Sequence, residues 1–65
     1  MPIVQISLIE GRELEKINKL IVEVTKTVSE SLDSPVENVR VIINEVPNTH
    51  WGIGGRPASE VRKSK

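Results

Sequence analysis

The sequence predicts an α+β fold, a single βαβ unit with parallel strands followed by a C-terminal hairpin or loop. Three observations carry this reading. Two β-rich runs, Ile3-Val4-Gln5-Ile6-Ser7-Leu8-Ile9 and Val39-Arg40-Val41-Ile42-Ile43-Asn44-Glu45-Val46, bracket one stretch of helical periodicity. The connections between them are only a few residues long, and strands joined through one helix run parallel with a right-handed crossover in nearly all known cases. After Val46 the composition shifts to Pro47-Asn48-Thr49-His50-Trp51-Gly52-Ile53-Gly54-Gly55-Arg56-Pro57, whose glycines and prolines suit a tight hairpin and not a further core strand. The 65 residues are read as one domain, 1–65, with Met1 expected to be removed.

Along the first run Val4, Ile6 and Leu8 point one way while Ile3 and Ile9 point the other. Pro2 precedes it and has two readings. Proline tolerates the start of an edge strand, where its missing N–H costs the ladder nothing. Alternatively, once Met1 is trimmed, Pro2 becomes a secondary amine held rigidly by the strand behind it, which makes it a candidate catalyst.

From Glu13 to Leu32, Leu14, Ile17, Leu20, Ile21, Val24, Val28 and Leu32 recur mostly at spacings of three and four, with Glu15, Lys16, Lys19, Glu23, Lys26 and Glu30 between them. That is an amphipathic helix. Its start has no Ser, Thr, Asp or Asn cap, so Gly11 is the candidate, and Glu13 and Glu15 suit the positive end of the helix dipole. Asp33-Ser34-Pro35 ends it, because proline disfavours helical geometry in the residue before it.

In the second run Val39, Val41 and Ile43 oppose Ile42 and Val46, so both sheet faces are substantially apolar. One helix covers one face, and parallel sheets occur almost only with both covered. A domain this short buries only about 60% of its unfolded surface, and this one has no cysteine to staple it. Self-association is the remaining support, with another copy expected on the bare face. The closing segment, Ala58 to Lys65, is short, polar and basic and is expected to fray at its end.

Composition excludes several partners. Nine basic residues balance nine acidic ones, which leaves no global field for nucleic acid or an anionic membrane. Arg56, Arg62, Lys63 and Lys65 form a basic tail without an aromatic platform for bases. No apolar run approaches the roughly 20 residues that span a bilayer, and no basic stretch leads into an apolar one at the start. A cytoplasmic protein with neither a nucleic-acid nor a membrane partner is expected.

Few residues are left to carry chemistry. Gly52-Ile53-Gly54-Gly55 matches neither phosphate-loop pattern and no helix is predicted behind it, so a turn with positive φ explains these glycines better. His50, the only histidine, lacks ligand partners at metal-site spacing and reads as a loop residue. Trp51, the only aromatic residue, can wall a pocket, pack on a neighbouring subunit or fill the core. Arg12 stands at the turn between strand and helix. Arg40 is flanked by Val39 and Val41, and a guanidinium in a strand core needs a partner. Either Glu45 or Glu10 pairs with it, or it binds an anion.

Taken together, Pro2, Glu10-Gly11-Arg12, the helix, Val39-Arg40-Val41-Ile42-Ile43 and His50-Trp51-Gly52-Ile53-Gly54-Gly55 resemble the short-chain 4-oxalocrotonate tautomerases over nearly the whole chain. The resemblance implies a βαβ protomer in a homohexamer, a trimer of dimers, with a four-stranded sheet per dimer. It implies a cofactor-independent isomerase, with no metal, that converts a 2-hydroxydienoate such as 2-hydroxymuconate to the conjugated 2-oxo acid. Pro2 would be the general base, Arg40 would hold and polarise the reacting end, Arg12 would hold the far carboxylate of a dicarboxylate or 2-keto acid substrate, and Trp51 would form the apolar wall. The two arginines would come from subunits other than the one supplying Pro2. Desolvation and arginine charge both penalise a protonated amine, which suits a base working near neutral pH.

Departures from the family pattern bear on specificity. Trp51 replaces the usual phenylalanine, the helix start lacks the common hydroxyl or Asp cap, and Arg56-Pro57 follows the glycines. The alternatives are a promiscuous keto–enol tautomerase of other 2-keto acids and a non-catalytic oligomeric module that binds an anionic metabolite. A hydratase or dehalogenase relative would need a water-activating carboxylate near Pro2, and none can be assigned.

Overall fold

The computed structural model describes residues 2–61. Met1 and the basic tail residues Arg62, Lys63 and Lys65 lie outside the described residues. Strand β1 (Ile3–Ile9) leads to helix α1 (Leu14–Leu32), a short 3-10 turn at Val36–Asn38 and strand β2 (Arg40–Val46). A second 3-10 turn at Asn48–His50 then precedes a hairpin of β3 (Gly52–Ile53) and β4 (Arg56–Pro57) and a one-turn helix α2 (Ala58–Val61). β1 and β2 pair in parallel from Ile3↔Arg40 through Ile9↔Val46, and β3 pairs antiparallel with β4. The α+β reading, with its parallel unit and C-terminal hairpin, is the fold observed.

The ladder extends past both strand ends. Arg40 donates its backbone N–H to the Pro2 carbonyl at 3.0 Å, and Glu10 donates to the Val46 carbonyl at 2.9 Å. The first of these ties the start of the described chain to the sheet.

Helix α1 begins one residue later than the periodicity suggested. Glu13 is its N-cap, in extended conformation and without a side-chain cap; its carbonyl accepts from Lys16 and Ile17. Gly11, expected as the cap, lies upstream at φ +128° and serves the turn instead. The helix ends where Asp33-Ser34-Pro35 said it should. Asp33 adopts the left-handed conformation at φ 55°, and the backbone N–H groups of Asp33 and Ser34 both donate to the Ser29 carbonyl. Ser29 Oγ returns a hydrogen bond to the Ser34 carbonyl.

Half-buried and exposed positions alternate along both strands. Val4, Ile6, Leu8, Val41 and Ile43 are half-buried on the face that α1 covers, while Ile3 and Ile42 stand on the other face at 61% and 47% exposure. The only buried apolar residues among those described are Ile17, Val39 and Ala58. Burying so little leaves an open particle. Its radius of gyration is 15.0 Å, against about 11 Å for a compact chain of this length. It exposes 5061 Å², against about 4,100 Å² for a monomeric globule of this mass.

The closing segment corrects the sequence reading in part. No helix was expected behind the glycine turn, yet Ala58 is fully buried and starts α2 directly behind the hairpin, while the end expected to fray, 62–65, lies outside the described residues. The Ala58 N–H donates to the Trp51 carbonyl at 2.7 Å. A small side chain inside a tertiary contact has no local signature, which is why composition alone did not reveal it.

Asp33→Gly should stabilise the protein by roughly 0.5 to 1 kcal/mol, because glycine enters the left-handed conformation without steric cost and the change removes an acid from the negative end of α1. Thermal unfolding at matched protein concentration checks this; an unchanged or lowered midpoint contradicts it.

Candidate active site

The predicted site residues fall into two groups at opposite ends of the parallel ladder. Pro2 and Arg40 lie where the strands begin, joined by the 3.0 Å backbone bond. Arg12 and Trp51 lie where the strands finish, and with Ser7, Leu8 and Ile9 they line a pocket of about 200 Å³. Strands of seven residues separate the ends, which at about 3.3 Å per residue is roughly 20 Å. One protomer therefore does not gather all four residues into one cavity.

Each arginine is held by a backbone carbonyl three residues earlier. Arg12 Nη1 donates to the Ile9 carbonyl at 3.2 Å, and Arg40 Nη1 donates to the Glu37 carbonyl at 2.6 Å. A guanidinium carries five N–H donors in a planar fork, so one bond of this kind orients the group and leaves the rest for a carboxylate. A lysine ammonium offers no such fork.

The environment of Arg40 differs from expectation. The sequence placed it inside an apolar strand, where burial would demand Glu45 or Glu10 as partner; instead it is the first residue of β2, exposed, with the Glu37 carbonyl as its partner. The buried position belongs to Val39, just before the strand. By strand alternation Arg40 shares the uncovered face with Ile3 and Ile42. It needs no buried counter-charge, and its remaining donors are open to a ligand.

Arg12 reaches its position through Gly11, whose φ of +128° L-residues rarely adopt. Trp51 is brought back over the end of β1 by Pro47 and the Asn48–His50 turn, and it is half-buried, with its carbonyl held by Ala58. Within the protomer it lines the pocket beside Arg12. Gly54 and Gly55 have φ of 61° and 88° and form the hairpin turn, as their positive-φ reading required. His50 lies in the exposed turn with Nδ1 2.7 Å from Thr49 Oγ1.

A larger depression, about 420 Å³, lies on the flank of α1 against Lys16, Lys19, Leu20 and Glu23. It holds none of the predicted site residues. The pocket residue that sequence reasoning did not single out is Ser7. Its signal was present in the period-two alternation, which puts Ser7 on the same face as Ile9, heading toward Arg12.

Comparison with known proteins identifies the family to which this fold belongs. The family model described as "Tautomerase enzyme" matches residues 2–60. The chain is 52% identical over 63 residues to a 2-hydroxymuconate tautomerase of Pseudomonas putida, covering 97% of this chain and 100% of the relative. It is 46% identical over 63 residues to a probable tautomerase of Ralstonia nicotianae, covering 97% and 90%. Among solved structures, a 4-oxalocrotonate tautomerase homologue in the tomaymycin biosynthetic pathway superposes with a TM-score of 0.93 at 39% identity, over 95% of both chains. A heterohexamer 4-oxalocrotonate tautomerase from Chloroflexus aurantiacus superposes with a TM-score of 0.89 at 37% identity, over 95% of this chain and 100% of that one.

Because a Cβ at Gly11 would meet open space, Gly11→Ala isolates the backbone effect. It should destabilise the protein by about 1 to 2 kcal/mol and displace Arg12. Thermal unfolding and carboxylate binding, measured together, test the two halves of this expectation.

Proposed function

Since this chain belongs to the tautomerase family and is an isomerase, we propose that it is a cofactor-independent 2-hydroxymuconate tautomerase whose general base is the amine of Pro2, freed by removal of Met1. The observation that carries the proposal is the placement of Pro2. It stands at the head of β1, half-buried, with its carbonyl held by the Arg40 N–H, so its nitrogen is positioned as firmly as a ladder atom. Retained Met1 would acylate that nitrogen and abolish its basicity.

In the proposed reaction the Pro2 nitrogen takes the hydroxyl proton of the dienol and a proton is delivered to the far carbon of the conjugated system, giving the 2-oxo acid. Arg40 binds the carboxylate and oxygen at the reacting end and stabilises charge as it develops there, an interaction stronger in the transition state than in the ground state. Arg12 holds the remote carboxylate, which mainly positions the substrate. Trp51 supplies the apolar wall beside Arg12.

The roughly 20 Å between the two groups is longer than such a substrate, so the working site combines the Pro2 end of one copy with residues of others. The exposed apolar face containing Ile3 and Ile42 supports assembly through the sheet. We assign a homohexamer built as a trimer of dimers, each chain acting as a single domain in the cytoplasm; the Chloroflexus aurantiacus relative is a heterohexamer. No helix among the described residues is long and apolar enough to cross a membrane.

Protein with Pro2 confirmed as its first residue by mass spectrometry should accelerate loss of the 2-hydroxymuconate enol absorbance; a rate equal to buffer overturns the assignment and leaves the anion-binding module. Arg40→Ala should lower kcat by about 10² to 10³, while Arg12→Ala should act chiefly on KM. Equal, negligible effects of both changes contradict the roles given. Specific activity should also fall on dilution below the assembly constant, because the site is shared between chains.

A further inference from the structure

The pocket that contains Arg12 and Trp51 has a second polar side chain in its wall. Ser7 lies on the uncovered face of β1 and lines the pocket beside Leu8 and Ile9. It is exposed, and its hydroxyl makes no hydrogen bond to any described residue. Serine offers a strand little packing, since β-branched and aromatic side chains are those that fit a pleated surface. A hydroxyl here contributes a donor whose hydrogen rotates to meet its acceptor.

The ligand chemistry follows from the neighbouring guanidinium. One N–H of Arg12 is spent on the Ile9 carbonyl, and the others can fork two carboxylate oxygens. An ionised carboxylate has about four lone-pair sites, so the fork leaves acceptor capacity unmet. We propose that Ser7 is a specificity-determining residue, its hydroxyl donating to the substrate's remote carboxylate alongside Arg12, so that the pocket favours dicarboxylates over monocarboxylates of equal length. This rests on the assignment of Arg12 to the remote carboxylate. Asn44 separates this role from a merely polar strand position: it is the register partner of Ser7 on the same exposed face, but it lies outside the pocket lining.

The test uses the assembled protein and two planar dienes that lack the enol hydroxyl, trans,trans-muconate with two carboxylates and sorbate with one. Calorimetric titration should show tighter binding of muconate. Ser7→Ala should weaken muconate about tenfold and change sorbate by less than about twofold. Ser7→Thr, which keeps the hydroxyl, should restore muconate binding, and Asn44→Ala, in protein that sedimentation shows to be assembled like the unaltered one, should leave both ligands unaffected. With 2-hydroxymuconate, Ser7→Ala should raise KM by a similar factor while kcat stays within about twofold. Equal losses for muconate and sorbate, no loss for muconate, or no preference for muconate in the unaltered protein would each overturn the proposal. Because neither diene turns over, Ser7-dependent muconate binding by protein inactive on 2-hydroxymuconate would refute the proposed activity and leave the role of Ser7 standing.

Discussion

A two-stranded parallel sheet with one helix has one face more than it can cover, and the rest of this protein follows from that shortage. α1 shelters Val4, Ile6, Leu8, Val41 and Ile43 on one side, while Ile3 and Ile42 remain in water on the other. Surface burial is the dominant favourable term in folding, and here it is left incomplete within the protomer. The excess of exposed surface over a compact monomer is roughly 900 Å², close to the area of about 800 Å² that each partner contributes to a standard interface. In the proposed assembly, association is then part of the folding free energy of this chain, and its stability depends on protomer concentration.

The same shortage shapes the distribution of the candidate chemistry. A parallel ladder puts the start of both strands at one end and their finish at the other. Pro2 and Arg40 share the first end, Arg12 and Trp51 the second, and nothing in a single βαβ unit can fold the two ends onto each other. Joining copies covers the bare face and, in the proposed assembly, also brings complementary ends together. Assembly and site formation then have one cause.

Preorganisation comes cheaply to the side chains involved. Both arginines lean on a carbonyl three residues back, and Trp51 is held through its own carbonyl by buried Ala58. The two arginine contacts are local, so in the roles proposed for them both guanidiniums are oriented before any neighbour or ligand arrives, and little ordering remains to oppose binding.

Periodicity alone located β1, α1 and β2 nearly to the residue, because alternation and three-to-four spacing record which face each element buries. Pro47 to Pro57 announced a hairpin, since Gly54 and Gly55 supply the positive φ it requires. The environment of Arg40 was misjudged, and the burial of Ala58 and the place of Ser7 in the pocket were passed over, for a common reason: each depends on where a strand begins or what packs across it. The residue order by itself determined β1, α1 and β2, their parallel pairing and the unpartnered face, and it singled out Pro2, Arg12, Arg40 and Trp51 as candidates. Only the tertiary structure decided that these four divide between two ends, that Arg40 is solvent-facing and that Ser7 joins Arg12 in one pocket. Periodicity encodes burial along an element, whereas distances between elements exist only once the chain has folded.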